Sequence, residues 1–238
     1  MFTKVKTPQE IIWMRESGQM LAMVLEATAA YAKVGMTTKE LADFAALETK
    51  KLDTTAAFLG QYGFPDVICI SVNQAVVHGI PNKYVLKDGD VLSLDFGIKH
   101  KGMITDAART VIVGTPNKAK QKLVDTTQAA LDAGIAVLRD GVFVGDIAHA
   151  VQGVLASAGL GIVRDLVGHG VGHQLHEDPN IPNYGRAGTG PQLKSGMTIA
   201  IEPMATLGSY QVYTAQDDWT IETRDGSLAA HFEDTILI

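Results

Sequence analysis

With 238 residues, 46% hydrophobic and 19% charged, the chain can bury a sizeable core and is too apolar for disorder. A net charge of −6 and a pI near 5.6 argue against nucleic acid or an anionic membrane as partner. The single Cys69 cannot form an internal disulfide and suits a reducing compartment. No apolar run approaches the roughly 18 residues of a membrane span, and residues 1–8 lack a signal-peptide core, so a cytoplasmic protein is expected.

The first element is signalled by Thr7-Pro8-Gln9-Glu10, an N-cap, a proline at the first turn and a glutamate three residues after the cap. The helix should run to about residue 33, with apolar Ile11, Met14, Met20, Val24 and Leu25 on its core side. A second helix is expected over 38–52, capped by Thr37 or Thr38. Strands follow near 66–73, 91–98 and 108–113, then helices near 117–139 and 144–158. Later strands are expected near 163–166, 198–204, 221–223 and 228–238, and Gly188-Thr189-Gly190-Pro191 should be a mobile loop.

The order of these elements contains a repeat. Leu86-Lys87-Asp88-Gly89-Asp90-Val91-Leu92-Ser93-Leu94-Asp95 matches Leu193-Lys194-Ser195-Gly196-Met197-Thr198-Ile199-Ala200-Ile201-Glu202 at an offset of 107. Gly35 and Gly141 each sit in a turn between two helical stretches, and Asp106 and Glu233 each precede an apolar strand. We expect one domain over 1–238 built of two similar α/β halves, about 1–115 and 116–238. A pseudo-two-fold axis would pair Asp95 with Glu202 and Asp106 with Glu233 across a cleft.

Those four carboxylates all border apolar runs, where an unpaired charge costs several kcal/mol. Like charges cannot neutralise one another, so cations are the simplest remedy. With His169 they make a ligand set too negative for one ion and suited to two divalent ions bridged by shared carboxylates. Histidines refine the picture. Gly168-His169-Gly170-Val171-Gly172-His173-Gln174-Leu175-His176-Glu177 holds three in a glycine-rich segment whose glycines would let backbone approach a ligand. His169 and His176 read as functional and His173 could be either. His78 precedes the Gly79-Ile80-Pro81 turn. His100, His149 and His231 read as surface or helix residues with no identifiable partner.

Seven pieces in order carry a resemblance: Val77-His78-Gly79-Ile80-Pro81, Leu94-Asp95-Phe96-Gly97, Thr105-Asp106, Gly168-His169-Gly170-Val171-Gly172, His176-Glu177-Asp178-Pro179, Ile201-Glu202-Pro203 and Phe232-Glu233-Asp234-Thr235. From about residue 6 onward the chain resembles the methionine aminopeptidases. The resemblance implies an α+β pita-bread fold, with two pseudo-symmetric halves around a curved antiparallel sheet that holds two metals. Glu202 and Glu233 are 31 positions apart, which resembles the short type I form.

The resemblance further implies that Asp106 and Glu233 bridge two divalent ions (Co, Mn, Fe or Zn), His169 and Glu202 complete one, and Asp95 chelates the other. Glu202, His176 and His78 would be the catalytic groups, with Phe64, Cys69 and Trp219 lining the methionine pocket beside His78 and His176. Leu175, Gln61 and Phe58 depart from the commoner pocket residues. The implied partners are nascent peptide N-termini at the ribosome, cut when the second residue is small, by a monomer. Prolidase and aminopeptidase P share the fold but usually carry a large N-terminal domain, for which this chain has no room, and a non-catalytic module of the fold would be expected to lose ligands.

Overall fold

Local sequence chemistry sets the first helices. In this computed structural model, which describes residues 2–238, α1 (Pro8–Tyr31) opens with Thr7 Oγ1 accepting from Glu10 N at 3.3 Å and Glu10 accepting from Thr7 N at 2.8 Å. α2 (Thr38–Lys51) repeats the reciprocal cap with Thr37 and Glu40. Both match the expected starts, and α1 ends two residues early at Ala32, whose backbone is extended.

After β1 (Thr55–Ala56), β2 (Cys69–Val72) and β3 (Ala75–Val77), the chain forms one long hairpin, β4 (Val91–His100) with β5 (Met103–Ile112). The hairpin is longer than expected because Lys101 and Gly102 both take positive φ, the backbone of a tight two-residue turn. Helices α3 (Lys118–Ala136) and α4 (Val144–Ser157) follow. The strand expected at 163–166 is absent; pairing falls on either side, in β6 (Gly161–Ile162) and β7 (Gly168–Gly170). Next come β8 (Glu177–Ile181), β9 (Thr198–Ile201) and β10 (Met204–Thr206). One strand was expected over 198–204, but Pro203 has no N–H for the ladder and splits it. β11 (Val212–Thr214), β12 (Ile221–Thr223), β13 (Ala229–His231) and β14 (Glu233–Leu237) complete the chain. The 188–191 stretch is tied to the start of α4, with Gly145 N donating to Thr189 O at 2.9 Å.

The main sheet runs β1-β4-β5-β14-β9-β7-β8, with β2 also on β4, and its strand pairs are antiparallel. Alternation assigns its faces. Leu92, Leu94, Phe96 and Ile98 pack into a core with Leu21, Val24, Leu25 and Leu41 of α1 and α2. Ile199 and Ile201 pack into a second core with Leu131, Ile147, Val151 and Leu155 of α3 and α4. Each such side chain contributes roughly 1.5–3 kcal/mol by burial. The residues between them, Ser93, Asp95 and Gly97 on β4 and Ala200 then Glu202 at the end of β9, are left to the opposite face.

Candidate metal centre

Strand register gathers the acids. Cys69 stands opposite Asp95, Asp95 opposite Ala108, and Ala108 opposite Glu233. Directly opposed residues share a sheet face, so this row lies on the face away from the helices, and Asp106, two residues before Ala108, joins it. His169 stands opposite Ala200, and Glu202 lies two residues beyond Ala200. Asp106 is also locked to β14, its N donating to Thr235 Oγ1 and its carbonyl accepting from that hydroxyl, both at 2.8 Å.

The expected five groups therefore meet. His169 Nε2 lies 3.6 Å from Glu202 Oε1, 4.0 Å from Asp106 Oδ2 and 4.0 Å from Glu233 Oε1. Its Nδ1 is 2.9 Å from Gly170 O. Donation there leaves the Nε2 lone pair facing the carboxylates, the tautomer a metal ligand needs. Asp95 shares the face beside them, 8% exposed.

Electrostatics say what is missing. Asp95 Oδ1, Asp106 Oδ1 and Glu233 Oε1 are buried without a hydrogen-bond partner among the described residues. Burial, and then Asp106, pushes the Asp95 carboxyl well above the usual range. Burial, then Asp95 and Asp106, does the same to Glu202, and burial with Asp106, Glu202 and Asp95 does so to Glu233. Burial raises Asp106 to about 7 and lowers His169 to about 4. Neutral imidazole beside carboxylates that resist ionising is a donor set waiting for positive charge, and oxygen with imidazole nitrogen fits first-row divalent ions. Two triads have ligand atoms mutually within 4.8 Å: Asp106, His169 and Glu233, and Glu202, His231 and Glu233.

The acids floor a cavity of about 360 Å³. Its apolar wall includes Phe58, Phe64, Cys69, Leu175 and Trp219, with Phe64 edge-on to Trp219 at 5.2 Å. His78 and His176 line it too, as do Gln61, Tyr62 and Leu166. The rings of His176 and His169 are 4.5 Å apart, nearly perpendicular, and Tyr62 lies parallel to His176 at 6.0 Å. His78 holds φ +59, a conformation costing on the order of 1 kcal/mol for a non-glycine residue and common at functional sites. Gly79 beside it cannot carry a side chain, since a Cβ would lie 2.3 Å from Ile70 O.

Three expectations need correction. His231 is neither surface nor helix. It ends β13 at 1% exposure, with Nε2 3.5 Å from Glu202 Oε2 and 3.9 Å from Glu233 Oε2. The available signal was its place two residues before Glu233, the spacing that puts strand residues on one face. His100 has a partner, Glu16 at 3.0 Å, while His149 is an exposed residue of α4. The glycines flanking His169 serve strand packing: a Cβ on Gly168 would meet Ala200 O at 2.3 Å, and one on Gly170 would meet Asp178 O at 2.6 Å. His173 bonds to Glu10 at 2.7 Å and does not line the cavity. Glu177, which itself lines the cavity, accepts from His173 N and Gln174 N and pairs with Lys6. Tyr62 and Leu166 were not anticipated; only their neighbouring turns distinguish them in sequence.

The model of metallopeptidase family M24 matches residues 13–238. A methionine aminopeptidase of Clostridium acetobutylicum is 44% identical over 235 residues, 98% of this chain and 94% of its own length. The crystal structure of a methionine aminopeptidase from Thermotoga maritima superposes with a TM-score of 0.98 at 43% identity, over 100% of this chain and 96% of that one. The prolidase of Pyrococcus horikoshii is 21% identical, with a TM-score of 0.75 over 98% of this chain and 60% of its own, a likeness of fold.

Proposed function

Because this chain belongs to metallopeptidase family M24, and within it to the type I methionine aminopeptidases with their pita-bread fold, we propose that its cavity seats a peptide's N-terminal methionine over a two-ion centre. The protein is a metal-dependent aminopeptidase. The observation that carries the site assignment is the convergence of Asp95, Asp106, His169, Glu202 and Glu233 at the floor of an apolar cavity also lined by His78 and His176. The rest of the assignment is our reading: one catalytic domain over 1–238, monomeric and cytoplasmic, acting on chain ends at the ribosome. No helix among the described residues is long and apolar enough to cross a membrane.

Bound divalent ions, Mn, Fe, Co or Zn, would supply Lewis acidity and lower the pKa of water they hold towards neutrality. Asp106 and Glu233 would be shared by both ions, with His169 and Glu202 on one and Asp95 on the other. Glu202 takes the proton of the attacking water and returns it to the leaving amine; its side chain is 12% exposed and lines the cavity. Burial holds His176 below the ordinary imidazole range, so near neutral pH it is uncharged and donates an N–H to the oxygen that gains charge. His78, lowered by burial to about 4, is neutral too and orients the peptide by hydrogen bonding. Phe64, Cys69 and Trp219 receive the thioether. Cys69 packs and does not attack: burial, then Asp95, pushes its thiol well above the usual range.

The test is metal titration of chelated protein, followed by release of Met from Met-Xaa peptides of growing Xaa. We expect no activity without metal, restoration by two ions per chain, and rates that collapse when the second residue grows beyond Gly, Ala or Ser. Full activity after exhaustive chelation, or preferential cleavage of Xaa-Pro peptides, would overturn the assignment.

A further inference from the structure

The five expected ligands leave one side chain of the cluster unexplained. His231 is 1% exposed, and neither of its ring nitrogens has a hydrogen-bond partner among the described residues. A buried imidazole without partners is costly. Nothing suggests that it arrived there loosely. Its N–H donates to Thr110 Oγ1 at 2.9 Å, its carbonyl accepts from that hydroxyl at 2.7 Å, and Met204 pairs with it across β10. The backbone is pinned so that the ring faces the acids.

The distances do not fit a shared proton, and two nearby carboxylates complete a ligand triad with the ring. Where a histidine hydrogen-bonds a carboxylate elsewhere the pair closes up, His173 Nε2 to Glu10 at 2.7 Å and His100 Nε2 to Glu16 at 3.0 Å, while the unbonded His173 Nδ1 stands 3.8 Å from Glu177. His231 stands off from Glu202 and Glu233 at 3.5 and 3.9 Å, as His169 does from its neighbours at 3.6–4.0 Å. These gaps are too long for a hydrogen bond. Two ligand atoms each about 2.1 Å from one ion at roughly tetrahedral angles sit about 3.4 Å apart, close to the spacing seen. The oxygens also divide. His169 faces Oε1 of both Glu202 and Glu233, whereas His231 faces Oε2 of both. Each carboxylate presents one oxygen to each imidazole.

We propose that His231 is a further metal ligand, the imidazole of an ion held with Glu202 and Glu233, so that the centre carries two histidines rather than one. The inference rests on the two-ion reading above. An ion so held would be chelated by β13 and β14 together, through residues two apart on one face.

X-ray absorption of the zinc-loaded wild-type protein counts imidazoles directly, and calorimetric Zn²⁺ titration counts ions. We expect two ions and two imidazoles in the wild type. In H231Q, which keeps a hydrogen-bonding side chain of similar reach, we expect one imidazole and one of the two binding events weakened more than about 100-fold, beyond the 10–100-fold typical of a residue that only orients a ligand. One imidazole in the wild type, or an unchanged count in H231Q, overturns the proposal, and His231 is then a hydrogen-bonding support for Glu202. A wild type that binds no zinc would instead sink the two-ion reading itself. The wild-type count decides the matter even if H231Q fails to fold.

Discussion

Asp95 and Glu202 close two stretches of similar sequence, each a Lys-x-Gly turn feeding an apolar strand, yet the fold treats the two acids differently. Asp95 lies midway along a ten-residue strand, paired on one side to Cys69 and on the other to Ala108. Glu202 stands just past a four-residue strand, before Pro203, with its carbonyl held by Asn183 Nδ2 at 2.9 Å. It has one more methylene than Asp95, and both line the cavity. The same motif thus yields a carboxylate on a strand paired from both sides and one past a strand end, set between His169 and His231. The first suits a fixed ligand and the second a group that must also carry a proton.

The sharpest way to break that contrast is to neutralise each acid. Glu202→Gln should lower kcat by up to about 10⁴, the upper range for a general base, and excess metal should not restore it. Asp95→Asn should regain most of its activity when metal is raised. Kinetics of both across a metal titration would refute the division of labour if both variants responded alike. His176→Ala should come next, losing about 10²–10³ in turnover, or about 2.7–4 kcal/mol, with metal content intact. His169→Ala should lose metal instead. Metal analysis of the two side by side would reverse the assignment if His176→Ala were the one stripped. Between the acids, Asp106→Ala should retain less metal than Asp95→Ala, because Asp106 would serve both ions; equal retention in equilibrium dialysis would remove its bridging role.

The smallest expected effect is on the stability of metal-free protein. Asp106 has a folded pKa of about 7 against an ordinary value of 3.8, so folding takes up a proton. That contribution is complete below about 3.8 and is lost as pH rises through 7. His78 and His169, both lowered to about 4, act oppositely: their contribution is present above about 6.5 and lost as pH falls through 4. Above about pH 6.5 these histidines are neutral in both states, so there the acids set the slope. The apo Tm should therefore fall as pH rises from about 6.5 to 7.5, by roughly 2 °C, and Asp106→Asn should flatten that fall. A rising apo Tm over that range would contradict the burial of the acid cluster.

The acids were legible because Asp95 and Glu202 each end an apolar run, whose alternate members face helices. His169 and His176 stood out by density, three histidines within one glycine-rich segment. Register, by contrast, is a property of strand pairs, and no single segment displays it. That is why the pocket place of Cys69 rests on resemblance alone, its position beside Asp95 is not visible in sequence, and His231, alone in an alanine-rich stretch, gives no sign of its partners. The role of Gly168 and Gly170 was hidden for the same reason, since the atoms they make way for belong to Ala200 and Asp178. The split of the expected 198–204 strand follows from Pro203, which has no N–H to give the ladder.

One feature of the sheet bears on how the protein comes to exist. β14 lies between β5 and β9, and the path β1-β4-β5 meets β9-β7-β8 only through it. Asp106 and Thr235, whose mutual hydrogen bonds fasten that seam, are separated by 129 positions. During synthesis Asp95, Asp106, His169 and Glu202 all leave the ribosome before the strand that unites them. Contacts of such long range are entropically slow to form. The earlier strands must therefore wait with unpaired edges, and competence to bind metal arrives late, when one short segment slots between two waiting sheets.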